Sequence, residues 1–240
     1  MQVVRKFEAD GAALRVSLKR GLARQALDHA ARDTANLPGL FAQVDGLAPN
    51  AKAIERLAVR VARAPGVVQV SRTTGGAGLV IVARTLRHVV NTVDGAALFD
   101  EVTLVYTRIL LRPGRNGTVL RLHSASFCRH ALERLVERGP VALNLPLLPV
   151  IDAEAVQLLR HQVAGRVIED AGDNLIRAGV PGVWAGGFDL MLPEQDWGLI
   201  LQDGAKRVPV FSVRTFLAPA QMRPTLWLKW KDDPTMQMAA

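Results

Sequence analysis

Two β-rich runs, VTLVYTRILLR (102–112) and TVLRLHSAS (118–126), are joined by PGRNG. Asn116-Gly117 is a strong hairpin signal, because a two-residue turn between twisted strands needs positive φ at its centre. An antiparallel pair is therefore expected here. It runs directly into SASFCRHALERLVERG (124–139), whose apolar residues recur at helical spacing. Ser124 or Ser126 is the expected cap, and Gly139-Pro140 the stop. A chain that passes from hairpin straight to amphipathic helix belongs to the mixed classes.

The flanking sequence extends that reading. Residues 1–20 suggest a short strand pair turning at Asp10-Gly11, and 21–34 have helical composition, broken at 36–39. A helix is expected from Asn50 to Pro65-Gly66, with Ile54, Leu57 and Val61 on one face. VVQVSR and LVIVAR read as strands joined by TTGGAG, and 86–100 as a short helix. Helices are expected over 152–166 and 167–178. The last third reads as strands at 183–192, 197–203 and 208–217, with TLWLKW as a final edge strand. The expected fold is α+β, with helices packed on a mostly antiparallel sheet and a second, smaller α/β region at the N-terminus. The texture changes near residue 100. This divides the chain into a basic α/β region, 1–100, and an α+β domain, 101–240.

Composition narrows the function classes. The 240 residues are 49% hydrophobic and 22% charged, enough for a full core and unlike a disordered chain. No run approaches the 18 or so apolar residues of a spanning helix, and the N-terminus lacks a signal-type apolar region. Cys128 stands alone, so no internal disulfide can form, which fits a reducing, cytoplasmic setting. The net charge of +8 favours anionic partners, nucleic acid first. An Arg- and Ala-rich coding bias would give the same excess. No HExxH, CxxC or carboxylate–histidine cluster occurs, so neither a metal nor another cofactor is expected.

The helix at 127–138 carries the one candidate for chemistry. Ala131, Leu132, Leu135 and Val136 share a side, with His130, Arg134 and Glu137 opposite them. His130 and Arg134 are four apart and therefore neighbours, and Arg138 continues the row. Metal-free RNA cleavage needs a group of near-neutral pKa to move a proton at the 2′-hydroxyl, and a guanidinium for the phosphate oxygens. The same residues also fit an ordinary solvated stripe, in which Glu133 and Glu137 pair with Arg129, Arg134 and Arg138. Arg108, Arg112, Arg115 and Arg121 on the preceding hairpin are placed to track a nucleic-acid backbone. His123, on the strand leading into the helix, reads as a strand-surface histidine.

CRHALERLVERG, followed later by VFSVRTFLAP, resembles the barnase/EndoU/colicin/RelE-like ribonuclease toxin superfamily over about residues 120–220. The resemblance implies a helix and a following antiparallel sheet lining an RNA cleft. His130 and Arg134 would be catalytic with Thr215 as a later-strand partner, and Arg138 and Arg214 would bind the substrate. It implies RNA as partner and allows an antidote protein. The segment 140–182 departs from that pattern as a long insertion, and no second histidine occurs in the late strands. Two other classes stay open: a non-catalytic nucleic-acid-binding or adaptor module, and an assembly protein joined through the apolar segment 141–151 and the late tryptophans.

Overall fold

The computed structural model describes residues 2–44, 47, 50–93, 96–114, 117–191 and 207–232. Among them, six α-helices pack on an eight-stranded, mostly antiparallel open sheet, so the α+β expectation holds. The helices are α1 (Gln2–Arg32), α2 (Leu37–Ala42), α3 (Ala51–Val61), α4 (Arg129–Arg138), α5 (Leu148–Val163) and α6 (Pro224–Lys231). The strands are β1 (Val67–Arg72), β2 (Leu79–Val93), β3 (Ala96–Gly114), β4 (Gly117–Phe127), β5 (Ile168–Asp170), β6 (Asp173–Arg177), β7 (Val183–Met191) and β8 (Val208–Leu217). Their order in the sheet is β1-β2-β3-β4-β8-β7-β6-β5. The chain divides into two compact units, 27–126 with 188–212, and 1–26 with 127–187 and 213–240.

In the first unit β1, β2 and β3 form an antiparallel meander, with Val70 opposite Ile81 and Ile81 opposite Ile109. One sheet face buries Leu79, Ile81, Ala83, Ile109 and Leu111 beneath α2 and α3. Ile54, Leu57 and Val61 form the buried stripe of α3, and the Asn50 side chain accepts from Ala53 N at 2.8 Å as its cap. The helix expected over 86–100 is instead strand. The run is dense in Val and Thr, stiff at χ1, and pairs along its length with the neighbouring strand. The break at 36–39 is a helix start: Asn36 caps α2 by accepting from Gly39 N at 3.0 Å.

Arg84 is 3% exposed on β2 and donates to the Asp33 carboxylate at 2.8 Å and to Asp33 O at 3.0 Å. Asp33 also accepts from Gly66 N at 2.8 Å. Ala35 N donates to Arg84 O, and Arg84 N to Gly66 O. The end of α1, the turn before β1 and the middle of β2 are thereby joined.

The second unit holds three departures from expectation. Residues 1–20 are not a strand pair but part of α1, whose Asp10-Gly11 lies mid-helix. Gly11 and Gly21 each cost about 1 kcal/mol there, but the stretch contains no proline and is rich in Ala, Leu and Arg. The helix expected over 167–178 is the β5–β6 hairpin, which turns through Ala171 and Gly172 at φ 50° and 87°. The final edge strand is α6: Pro224 sits in its first turn, and Leu226 and Trp230, four apart, are its buried side. The strand expected at 197–203 lies outside the described residues.

α5 begins at Leu148 and supplies Glu154, which is 4% exposed. The Glu154 carboxylate accepts from Gly179 N at 2.9 Å, Val180 N at 2.8 Å and Trp184 Nε1 at 3.0 Å. The fully buried Trp184 ring meets Phe127 and Phe216 edge-on, with centroids 5.2 and 5.1 Å away. No described helix is long and apolar enough to cross a membrane.

Candidate functional site

α4 lies as its periodicity predicts, with Ala131, Leu132, Leu135 and Val136 fully buried. Its cap is Cys128, neither Ser124 nor Ser126, both of which are in β4. The Cys128 thiol accepts from Ala131 N at 3.4 Å and donates to Arg214 O of β8 at 3.8 Å. Cys128 is therefore half-buried at a helix start rather than in the core.

The opposite side of α4 brings His130, Arg134 and Arg138 into one row. Arg134 Nε donates to His130 Nε2 at 3.2 Å, so that nitrogen carries a lone pair and the exposed imidazole is neutral in this arrangement. Arg134 Nη1 binds Glu137 Oε2 at 2.7 Å, and Lys19 of α1 reaches the same oxygen at 2.8 Å. Arg129 pairs with Glu133 at 3.6 Å. The Lys19 hydrogen bond, with help from Arg134 and against the effect of burial, holds the Glu137 carboxyl below its ordinary pKa. Arg138 Nη1 donates to Phe216 O of β8 at 2.9 Å. Burial, then the Arg134 charge, pulls Arg138 below the usual guanidinium value. Arg15 of α1 donates to Val136 O at 3.1 Å and Gly139 O at 2.9 Å, satisfying carbonyls that the end of a helix leaves without intrahelical partners.

Among the late-strand candidates Arg214 is exposed, its guanidinium lying over Gly187, and Thr215 is half-buried. Neither side chain makes a hydrogen bond or ion pair with His130 or Arg134. The helix row is thus assembled and charge-balanced by Glu137 and Lys19, a pairing of α1 with α4 that no local spacing announces.

A second arrangement lies on the β3–β4 hairpin. Thr107 and Ser124 meet through their hydroxyls at 3.1 Å, in a buried contact. This fixes them as cross-strand neighbours, so Arg108 and His123, next along in opposite directions, face each other on the other side of the pair. Alternation adds Arg112 and Arg121 to that side. Val82 lies opposite Arg108 on β2 and is 2% exposed. His123 is half-buried, and its Nδ1 has no hydrogen-bond partner. Burial first, then the charges of Arg108 and Arg121, lowers its pKa below the ordinary histidine value. Arg112 and Arg121 are exposed and have no ion-pair partner among the described residues. Arg115 and Asn116 lie outside those residues.

The lowered His123 pKa has a consequence for stability. The folded state disfavours the protonated ring. Stability from this residue is therefore intact above the unfolded value, about 6.5, and is lost as pH falls through the depressed folded value. Urea unfolding at neutral and mildly acidic pH should show a smaller acid loss for His123→Gln than for the parent.

A cleft of about 300 Å³ lies elsewhere in the first unit, among Asn36, Leu37, Thr85, Arg87, Val105 and Met191, and none of the predicted site residues lines it. Among the described residues no group of three His, Cys, Asp or Glu is placed to hold a metal ion. The apolar groups considered for assembly are largely taken up locally: Val141, Leu147, Leu148, Ile151, Trp184 and Trp230 are buried, while Leu145 is 58% and Trp227 36% exposed. Trp197 lies outside the described residues. No protein-family model matches the chain, and no curated protein or solved structure matches it. The ribonuclease resemblance is carried by the helix and late-strand residues alone.

Proposed function

We propose that this chain binds nucleic acid, RNA first, through the basic side of the β3–β4 hairpin. The observation that carries the reading is the placement of Arg108, Arg112 and Arg121 on one side of two paired strands, with Arg112 and Arg121 exposed and without ion-pair partners among the described residues. Guanidinium groups spaced along strands suit successive phosphates, and such contacts position a polymer without reading its sequence. A gel shift with labelled RNA at several salt concentrations tests this. The parent should bind with a steep salt dependence. Arg112→Ala with Arg121→Ala should weaken binding across unrelated sequences and lower the salt slope by about one per lost contact. Binding indifferent to salt and to both substitutions would remove the reading.

A second reading, metal-independent ribonuclease activity by 2′-hydroxyl attack, is favoured by the 3.2 Å contact between His130 and Arg134 on an exposed helix side. In it His130 moves the proton, Arg134 and Arg138 hold the scissile phosphate, and Thr215 orients it. Arg134 Nε occupies the imidazole nitrogen that a general base needs, and Glu137 and Lys19 tie up its fork. Cleavage therefore requires the phosphate to displace Glu137 from Arg134. Incubation of labelled RNA with the protein in EDTA separates the two readings. Cleavage abolished by His130→Ala, with RNA binding retained, supports the second; intact RNA at saturating protein rejects it.

A further inference from the structure

We infer that Arg108, Arg121 and His123 form a centre for a single phosphate group on the open side of the β3–β4 hairpin. This rests on the binding reading above and names the atoms that would take one phosphate. The Thr107–Ser124 contact sets Arg108 directly across from His123, and Arg121 lies two residues along the same strand and on the same side. Two guanidinium groups thus flank one imidazole within the reach of cross-strand and diagonal neighbours. The buried Val82 beside Arg108 gives the cluster an apolar edge, where charge-assisted hydrogen bonds gain strength.

The ring itself is left wanting. A buried Nδ1 with no partner is a cost that folded proteins rarely carry without a reason. Like charges gather round it, and burial together with Arg108 and Arg121 disfavours its proton. An anion seated among the three groups reverses that balance: it screens the arginines from each other and favours the imidazolium. A planar guanidinium matches two phosphate oxygens at once. A carboxylate ligand would offer fewer oxygens to three donors, so a phosphate is the better fit. Inorganic phosphate, a nucleotide and a backbone phosphodiester share this chemistry.

The test uses the full chain with histidine rings isotope-labelled, titrated by NMR with inorganic phosphate, then with a 5′-mononucleotide, then with a short RNA. The expected result is a saturable shift of the His123 ring toward its protonated position, with the other four histidines unmoved by phosphate. Arg121→Ala should weaken phosphate binding by about tenfold or more, and Arg121→Lys by less. Arg121 is exposed, so both variants keep the fold. A His123 signal that stays still under saturating phosphate, or that moves equally in Arg121→Ala, overturns the inference. The three ligands distinguish the sources: a nucleotide or RNA response stronger than that to inorganic phosphate points to a nucleic-acid phosphate. RNA binding that persists while phosphate leaves His123 unmoved rejects this centre and spares the binding reading. A phosphate response without RNA binding rejects the binding reading and spares the centre.

Discussion

Glu154→Ala is expected to destabilise the protein by roughly 3–5 kcal/mol, the cost of breaking up a buried charged hydrogen-bond group. Three N–H groups converge on this carboxylate, two from the backbone at 179–180 and one from the Trp184 indole. Removing it leaves those donors in a site that is already dry, each at about 1–3 kcal/mol before relaxation. Glu154→Gln is the more telling variant. It preserves volume, but one oxygen becomes an NH₂ group, which can only donate. At least one of the three N–H groups then faces another donor. Chemical denaturation followed by tryptophan fluorescence reads both effects, and the order parent, Gln, Ala in midpoint is the expected one. A Gln variant as stable as the parent would mean that the carboxylate is not needed for this loop.

Gly66→Ala should cost about as much, for a different reason. Gly66 has φ +67°, in the left-handed region that side chains disfavour. A Cβ at this position would overlap the backbone nitrogen of Ala35 and come within 2.6 Å of the Thr34 carbonyl carbon. Backbone atoms cannot swing aside as a side-chain tip does, so the segment 33–35 must move. That segment holds the Asp33 bonds to Gly66 N and Arg84 and the bond from Ala35 N to Arg84 O. A loss of roughly 2–5 kcal/mol follows from strain plus the broken ties. Gly75→Ala is the control: it has φ +85°, yet nothing lies within 4 Å of its would-be Cβ. It should show only the conformational part, about 1 kcal/mol. Equal melting temperatures for the two variants would rule out the close approach as the cause.

What could be read from sequence was local. The α3 stripe, the Asn50 cap, the buried side of α4 and the strands at 67–72, 183–191 and 208–217 follow from spacing and end signals within a few residues. The errors came where a pattern admits two periods. The apolar residues of 167–178 fit a helix until Ala171-Gly172 is recognised as a turn, which alanine at positive φ disguises. TLWLKW alternates like a strand, and the proline before it decided for a helix. In 1–20, Asp10-Gly11 carried a turn signal that the surrounding helix formers outweighed. The candidate residues divided the same way. The nearness of His130 to Arg134 was legible as an i,i+4 pair. The Lys19–Glu137 bond spans 118 positions, and the facing of Arg108 and His123 depends on a cross-strand register. Neither leaves a mark in any short window.

Arg15 donates across 121 and 124 positions to the last carbonyls of α4. During vectorial synthesis, α1 leaves the ribosome long before the helix end it completes, so that end stays frayed until both ends of a long loop have met. Closing such a loop carries an entropic penalty that grows only slowly with its length, yet it must be met before these bonds give anything back. A truncated fragment lacking the first twenty residues would keep every residue of α4 and still be missing its terminal donor.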